Sequence, residues 1–388
     1  MQTRLVIPID FIREFLEKRT DSPYVETLEP ESGCNKKNTT STHLASCVIL
    51  FDVPEYLNIQ PKKAWCAIPI NTFKGSLLHL KNYKNFEDYL KASFSSKKRA
   101  QFKMAERRLY QAFPITYKRM FGPAPIETYH KLFDTFYTML EARFLEKDMK
   151  NDELPHWEHY KQVMIPLIEK KQAFFSVFYH GCTPISMSLN VIKDQVIYGY
   201  MKCYDIDYAK FSLGFLDLLK VTQWAFEAQF ERFDFLKGHY DYKTKWVDTS
   251  YYFQKLIIYN PESIWATLLA KAMAFKIHSF YGLIKILKSV KVDVFIKKVL
   301  QWHYLYYHKK PKQHVVLIEN THIKEEQIQG LTPISLNNPS YKFLRKAVFE
   351  FLYHQQDQID SLRVFKKEAT TQTYVIIGSK TMQTLSYV

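Results

Sequence analysis

The stretch AFFSVFYHGCTPISMSLNVIKDQVIYGYMKCY, residues 173–204, decides how the rest of the chain is read. Its apolar runs, 174–179, 185–192 and 195–204, have strand length. His180-Gly181-Cys182-Thr183-Pro184 separates the first two and the tight turn Lys193-Asp194 the last two. Turn residues at those spacings predict two hairpins in succession, an antiparallel meander. Ahead of it, apolar residues recur at helical spacing over 126–145, with Tyr129, Phe133, Phe136, Tyr137 and Leu140 on one face, and again over 156–170. Behind it come a loop at 205–212, a helix over 214–230 through Leu218, Leu219, Trp224 and Ala225, and a strand at 233–236 closed by Lys237-Gly238. Helix, three antiparallel strands, helix, strand is a mixed α+β order.

Further out the signals change. Residues 86–110 place Tyr89, Leu90, Phe94, Phe102 and Leu109 among Lys91, Lys97, Lys98, Arg99, Lys103, Arg107 and Arg108, which predicts one strongly basic helix, followed by a strand at 113–121. The first 85 residues read as short strands, 48–51 and 64–69, separated by a polar loop at 29–42. Beyond Pro261, residues 262–312 hold ten Lys against one Glu and one Asp, with Trp265, Leu268, Phe275 and Leu283 among the apolar positions. The tail reads as strand 315–318, helix 341–353 and strand 373–377. The chain therefore divides into 1–85, 86–260, a basic amphipathic segment 261–312 and an α/β extension 313–388.

Composition narrows the classes. At 388 residues, 47% hydrophobic and 24% charged, the chain can bury a core, and neither disorder nor a polytopic membrane protein fits. Ten glycines, against a usual share of about 7%, leave no G-x-G-x-x-G and no Walker loop. The net charge of +15 favours phosphates, nucleic acid or anionic lipid as partners. Five widely spaced cysteines without C-x-x-C argue against a disulfide framework or a structural metal site and for a reducing cytoplasm. Cys182 and Cys203 are expected as buried thiols on strands. Arg4, Asp10, Arg13 and Glu14 interrupt the apolar stretch 1–16, so no signal peptide is expected there. No run of 18 uncharged apolar residues suggests a spanning helix.

From Ile185 to Trp246 an ordered series of pieces stands out: Pro184-Ile185-Ser186-Met187-Ser188-Leu189, a strand carrying Gly199-Tyr200, Tyr204-Asp205 with Tyr208, and Ser212-Leu213-Gly214 opening a helix that holds Trp224-Ala225. Phe233-Asp234-Phe235-Leu236-Lys237-Gly238 and Tyr242-Lys243 with Trp246 follow. In this series the sequence resembles a GNAT-like acyltransferase family of bacterial cellulose and exopolysaccharide biosynthesis, itself similar to Fem-type peptidyltransferases. The basic helix near Arg107-Arg108 is similar to that family's lead-in, so the resemblance covers about residues 90–255. It implies a GNAT-like fold, a mixed sheet whose central strands splay to admit the pantetheine arm of an acyl thioester. Residues 1–85 leave room for a degenerate second copy.

The resemblance implies that the strands ending at Tyr204 and at Leu236 form the splayed pair, and that the helix opened by Gly214 faces a pyrophosphate, as helix N-termini do for anions. Tyr204, Lys210, Ser212, Gly214 and Phe215 would then hold acyl-CoA, acetyl-CoA or a longer thioester, with no metal. The family's Q/R-x-x-G-x-G/A turn is reduced here to Lys210 and Gly214, which leaves an aminoacyl-tRNA or acyl-carrier donor open. Acyl transfer to an amine needs a base and a proton for the leaving group. Asp205, His239 and Asp241 are candidates for the first, Tyr204, Tyr240 and Tyr242 for the second, and Lys243 for a phosphate or carboxylate. Against these stand plainer readings: Asp205 as a turn cap, His239 as a loop histidine, Lys243 as a surface charge, and Ser95-x-x-Lys98 as a chance match to a serine–lysine motif.

The function expected is acyl transfer to an amine or hydroxyl of a cell-envelope polysaccharide or lipid precursor, in the cytoplasm or peripherally on the inner face of the membrane through 262–312. The alternatives are Fem-type aminoacyl transfer from charged tRNA and a non-catalytic module that binds a polyanion or lipid.

Overall fold

The computed structural model describes residues 6–17, 25–26, 47–238, 243–290, 296, 298–299, 302–303, 306, 315–322, 330–367 and 372–387. In chain order the elements are β1 Val6–Asp10, α1 Phe11–Leu16, β2 Val25–Glu26, β3 Cys47–Pro54, β4 Gln60–Pro61, β5 Cys66–His79, α2 Phe86–Ser93, α3 Ser96–Ala112, β6 Ile115–Met120, α4 Ile126–Glu146 and α5 Trp157–Glu169. Then come β7 Ala173–His180, β8 Thr183–Lys193, β9 Val196–Tyr204, α6 Leu213–Glu227, β10 Arg232–Lys237, β11 Thr249–Tyr259 and α7 Ile264–Ser289. The tail adds β12 Val315–His322, β13 Thr332–Ile334, α8 Arg345–Gln355, β14 Arg363–Lys366, β15 Thr373–Ile377 and β16 Thr381–Tyr387. The chain packs as two compact units, one of Met1–Tyr83, Val191–Gly199 and Gln229–Val299, the other of Lys84–Asn190, Tyr200–Ala228 and Leu300–Val388.

In the first unit the strands pair in the order β1-β3-β11-β5-β10-β9. The sheet is mixed: β1 runs parallel to β3, β11 antiparallel to both β3 and β5, and β10 antiparallel to β5 but parallel to β9. One face buries Val48, Leu50, Leu256 and Ile258 with Phe11 of α1. The other buries Ile49, Ile70 and Ile257 against Ala270 of α7. Period-2 alternation along β3 and β11 thus feeds two cores. Two expectations need correcting. The strand read at 64–69 begins at Cys66 and runs to His79, carrying Pro69 and Gly75 within it. Strand β11 left little signal, because the polar residues Thr249, Ser250, Gln254 and Lys255 blur its alternation.

In the second unit β9, β8, β7 and β6 are successive neighbours, with β6 antiparallel to β7. The predicted meander is present, and its second turn is centred one residue later than expected. Asp194 and Gln195 both adopt positive φ, 49° and 60°, as a tight hairpin turn of the primed type requires. The single basic helix expected over 86–110 is two, α2 and α3, broken at Phe94 and Ser95. Ser95 Oγ accepts from the Lys98 N–H at 3.3 Å, so the serine–lysine pattern is an N-cap. Phe113, Phe211 and Phe349 pack in one aromatic cluster that joins the tail helix α8 to this core. Strands β12-β16-β15-β14-β13 form a separate antiparallel sheet. Cys203 is buried, but Cys182 is exposed in the first hairpin turn.

Candidate active site

In the first unit the chemistry gathers where β10 leaves β9. The parallel ladder pairs Arg232, Phe233 and Asp234 with Val196, Ile197 and Tyr198, and no further pair follows, although β9 runs on to Tyr204. Just past the ladder β10 kinks. Leu236 takes φ +54°, and the register against β5 shifts between Asp234 and Lys237. The kink lets the Leu236 N–H donate to Asp234 Oδ1 at 2.7 Å. Tyr56 Oη donates to Asp234 Oδ2 at 2.6 Å, and Tyr251 Oη lies 2.7 and 2.9 Å from the two carboxylate oxygens. Asp234 is 0% exposed. Burial lifts its carboxyl to about 6, against the pull of the Tyr56 and Tyr251 hydroxyls, the Leu236 N–H and the nearby Lys243 charge. Burial, with the Asp234 charge second, drives Tyr56 and Tyr251 well above the ordinary phenol range.

Gly75 makes this geometry. A Cβ there would lie 2.2 Å from Tyr251 Cζ, so only glycine lets the Tyr251 ring reach Asp234. Lys243 is buried beside the same strand, donating from Nζ to the carbonyls of Phe235 at 2.7 Å and Lys237 at 2.9 Å. It ties down the β10 kink. His239 and Tyr242, with Tyr240 and Asp241, lie outside the described residues.

In the second unit β9 ends at Tyr204, and a 3-10 turn, Ile206–Phe211, leads to Ser212 and α6. Ser212 adopts φ +58° and caps α6 without a side-chain hydrogen bond. Helical pairing resumes with the Phe215 and Leu216 N–H groups on the Ser212 carbonyl. A Cβ on Gly214 would meet the Tyr204 ring at 3.3 Å, so the helix start lies directly against that ring. Arg143 covers Tyr204, its guanidinium 4.2 Å from the ring centroid. Lys202 Nζ donates to the Gly214 carbonyl at 3.1 Å. Burial lowers the Lys202 ammonium to about 8, Asp217 opposing and Arg143 assisting. Lys147 is lowered by burial first and the Arg143 charge second. Asp217, 1% exposed on α6, accepts from Ser176 Oγ at 2.5 Å, and burial raises its carboxyl. Lys202 and Arg143 thus lie beside the start of α6, and the helix dipole adds positive character there.

The remaining predicted residues fall as follows. Asp205 Oδ1 accepts from the Asp207 N–H at 3.0 Å and Oδ2 faces Arg345 at 3.4 Å, so it caps the 3-10 turn and anchors α8. Asp207 lies 3.2 Å from the same guanidinium, and burial, with Asp205 next, raises it to about 6. Lys210 is exposed on the turn. Phe215 turns toward α3, its centroid 6.1 Å from Phe102 with Lys98 above it. Tyr204 and Gly214 lie against each other, with Ser212 at the cap of the same helix, and Lys243 belongs to the other unit. Asp234, Tyr56, Lys202 and Arg143 carried no assigned role in the sequence. Of these, Asp234, an acid inside the apolar run Phe233–Leu236, gave a signal that could have found it. Among the described residues no group of three His, Cys, Asp or Glu side chains could hold a metal ion.

The mixed sheet, with the short parallel ladder of β9 and β10, has a GNAT-like fold. Residues 96–244 match the family described as an acetyltransferase (GNAT) domain. No protein of curated function matches. Among solved structures, FemX is 11% identical, over 59% of this chain and 75% of that one, with a TM-score of 0.42. The C-terminal domain of a protein named as a lysylphosphatidylglycerol synthetase of Agrobacterium fabrum is 12% identical over 59% and 72%, with a TM-score of 0.36. L-PGS from Bacillus licheniformis is 11% identical over 61% and 73%, with a TM-score of 0.35.

Proposed function

We propose that the protein transfers an acyl group from an acyl thioester, acyl-CoA, to an amine or hydroxyl of a cell-envelope polysaccharide or lipid precursor. The observation that carries this reading is the short parallel ladder of β9 and β10, which ends beside a buried carboxyl, within a chain whose residues 96–244 match the GNAT domain. Peptide groups of a parallel strand released from its neighbour can take an extended pantetheine arm, as an added strand would. The start of α6, with Gly214, Ser212, Lys202 and Arg143, suits the pyrophosphate. Within the first unit taken by itself, Asp234, near 6, is basic enough to accept a proton near neutral pH, and Tyr56 and Tyr251 hold its oxygens in place. His239 and Tyr242 stay candidates for the remaining proton transfers, and Asp205 for orienting the 3-10 turn. The β1–α1–β3 unit, with β1 and β3 parallel, supports reading residues 1–85 as a degenerate second copy.

Helix α7 supports an acceptor at a membrane surface. Ile264, Leu268, Phe275 and Ile286 form one exposed stripe, Trp265 beside it is 82% exposed and Phe275 77%, and Lys271, Lys276, Lys285 and Lys288 are exposed with no carboxylate in the helix. An apolar stripe with cationic flanks suits an anionic lipid surface. No described helix is long and apolar enough to cross a membrane. Flotation with phosphatidylglycerol vesicles should recover the protein, and neutral vesicles should not. Equal recovery from both, or none from either, would remove the lipid surface from the proposal.

A second reading, aminoacyl transfer from charged tRNA, rests on the exposed cations Lys97, Lys103 and Arg107 of α3. The discriminating experiment measures free-thiol release from a panel of acyl-CoAs with candidate amines, alongside tRNA binding at several salt concentrations. Release with one acyl-CoA supports the first reading. Absence of release together with steeply salt-dependent tRNA binding replaces it with the second.

A further inference from the structure

The second unit holds a cavity of about 1080 Å³ away from the start of α6. Its walls come from the first hairpin turn, the 3-10 turn after β9, and the tail between Pro333 and Phe365. Small-molecule pockets span roughly 300–1000 Å³, so the cavity has room for a ligand of ordinary size. Lys342, Arg345 and Arg363 line it with His180, and no Asp or Glu lines it. The carboxylates that face Arg345, Asp205 and Asp207, approach from outside the lining. Phe349 supplies an aromatic wall. His180 Nδ1 and Tyr208 Oη, both in the lining, are hydrogen-bonded at 2.7 Å. Burial first and the Arg345 charge second lower His180, with Asp360 opposing, which favours the uncharged imidazole.

We propose that this cavity is a second ligand site, for a soluble phosphorylated small molecule with an aromatic or apolar body. The three cations would hold the phosphate, which planar guanidinium groups meet with paired hydrogen bonds, and Phe349 with its apolar neighbours would cover the body. The site also touches the route to α6. Tyr208 sits in the turn that leads to Ser212 and Gly214, and Arg345 is held by Asp205 and Asp207 of that turn. A phosphate drawing on Arg345 competes with those carboxylates, so occupancy of the cavity loosens the turn ahead of α6.

Phenyl phosphate is the probe, titrated calorimetrically into the full chain beside inorganic phosphate. Phenyl phosphate should bind with 1:1 stoichiometry and at least tenfold more tightly than inorganic phosphate. The doubly charge-reversed Lys342→Glu/Arg363→Glu variant, at two exposed positions, should weaken it at least tenfold with the melting temperature unchanged. Gly214→Val, at the proposed donor site, should leave the affinity unaltered. Arg345→Gln is the second variant, and its circular dichroism reports whether α8 stays folded. The proposal is overturned if phenyl phosphate does not bind, if the double variant binds it as wild type does, or if Gly214→Val abolishes binding. The last result would assign the probe to the start of α6. Because none of these readouts involves transfer, the proposal stands or falls apart from the acyltransferase reading.

Discussion

Asp234 in the first unit and Lys202 in the second are both charged groups that burial pushes toward neutrality, and their surroundings differ. Asp234 has three donors aimed at two oxygens, with Lys243 fixed nearby on backbone carbonyls. Lys202 donates to a carbonyl in the first turn of α6, with a second cation, Arg143, as neighbour and Asp217 as counter-charge. One cluster concentrates hydrogen bonds on a buried carboxyl, which oppose the upward push of burial. The other gathers Lys202 and Arg143 at a helix start, whose dipole adds to their positive charge.

The largest effect expected is on Asp234→Asn. The amide keeps the shape and removes the basicity, so transfer should fall by about 10²–10⁴-fold while the protein stays folded. The thiol-release rate is the measurement, and an undiminished rate would return Asp234 to a purely structural role. Next comes pH. The folded pKa of Asp234, about 6, lies above the ordinary aspartate value, so the folded state binds the proton more tightly. Stability should therefore decline as pH rises from about 4 to about 6 and level off above, an effect on the order of 3 kcal/mol. Urea midpoints of wild type against Asp234→Asn across that range check it, and parallel curves would contradict it.

Third, Gly75→Ala must displace the Tyr251 ring, costing about 1–3 kcal/mol as overpacking does. The urea midpoint should fall and the activity with it. A fourth effect concerns Lys202, whose folded pKa of about 8 lies below the ordinary lysine value. Its unfolded form holds the proton up to about 10.5, so stability should rise by about 3 kcal/mol between pH 8 and 10.5, and Lys202→Met should remove that rise. The two groups thus bend the pH–stability curve in opposite senses at opposite ends, and a curve in which neither variant alters its own limb would erase the contrast between the clusters.

How much of this was legible in the sequence differs between the units. The meander, α4, α5, α6 and β10 could be read because their apolar residues sit at strand or helix spacing over nearly their whole length, with Gly181 and Asp194 marking the turns. The break between α2 and α3 could not, since Phe94 and Phe102 keep the helical period across it and only the Ser95 cap reveals the stop. Strand β5 hid behind Pro69, and β11 behind its polar face. For the candidate site, Tyr204, Ser212 and Gly214 are legible as candidates through an ordered motif series. The Asp234 cluster draws Tyr56 and Tyr251 from positions 178 and 17 residues away in the chain. No local pattern encodes such a meeting; it depends on β5, β10 and β11 lying side by side and on a glycine that makes room.

The most direct test of the central claim is calorimetric titration of acetyl-CoA into the wild-type chain, Gly214→Val and Asp234→Asn. Saturable binding that Gly214→Val weakens at least tenfold and Asp234→Asn preserves is the predicted result. Acetyl-CoA that binds nowhere, or binds Gly214→Val as tightly as wild type, would contradict the assignment of the donor to the start of α6.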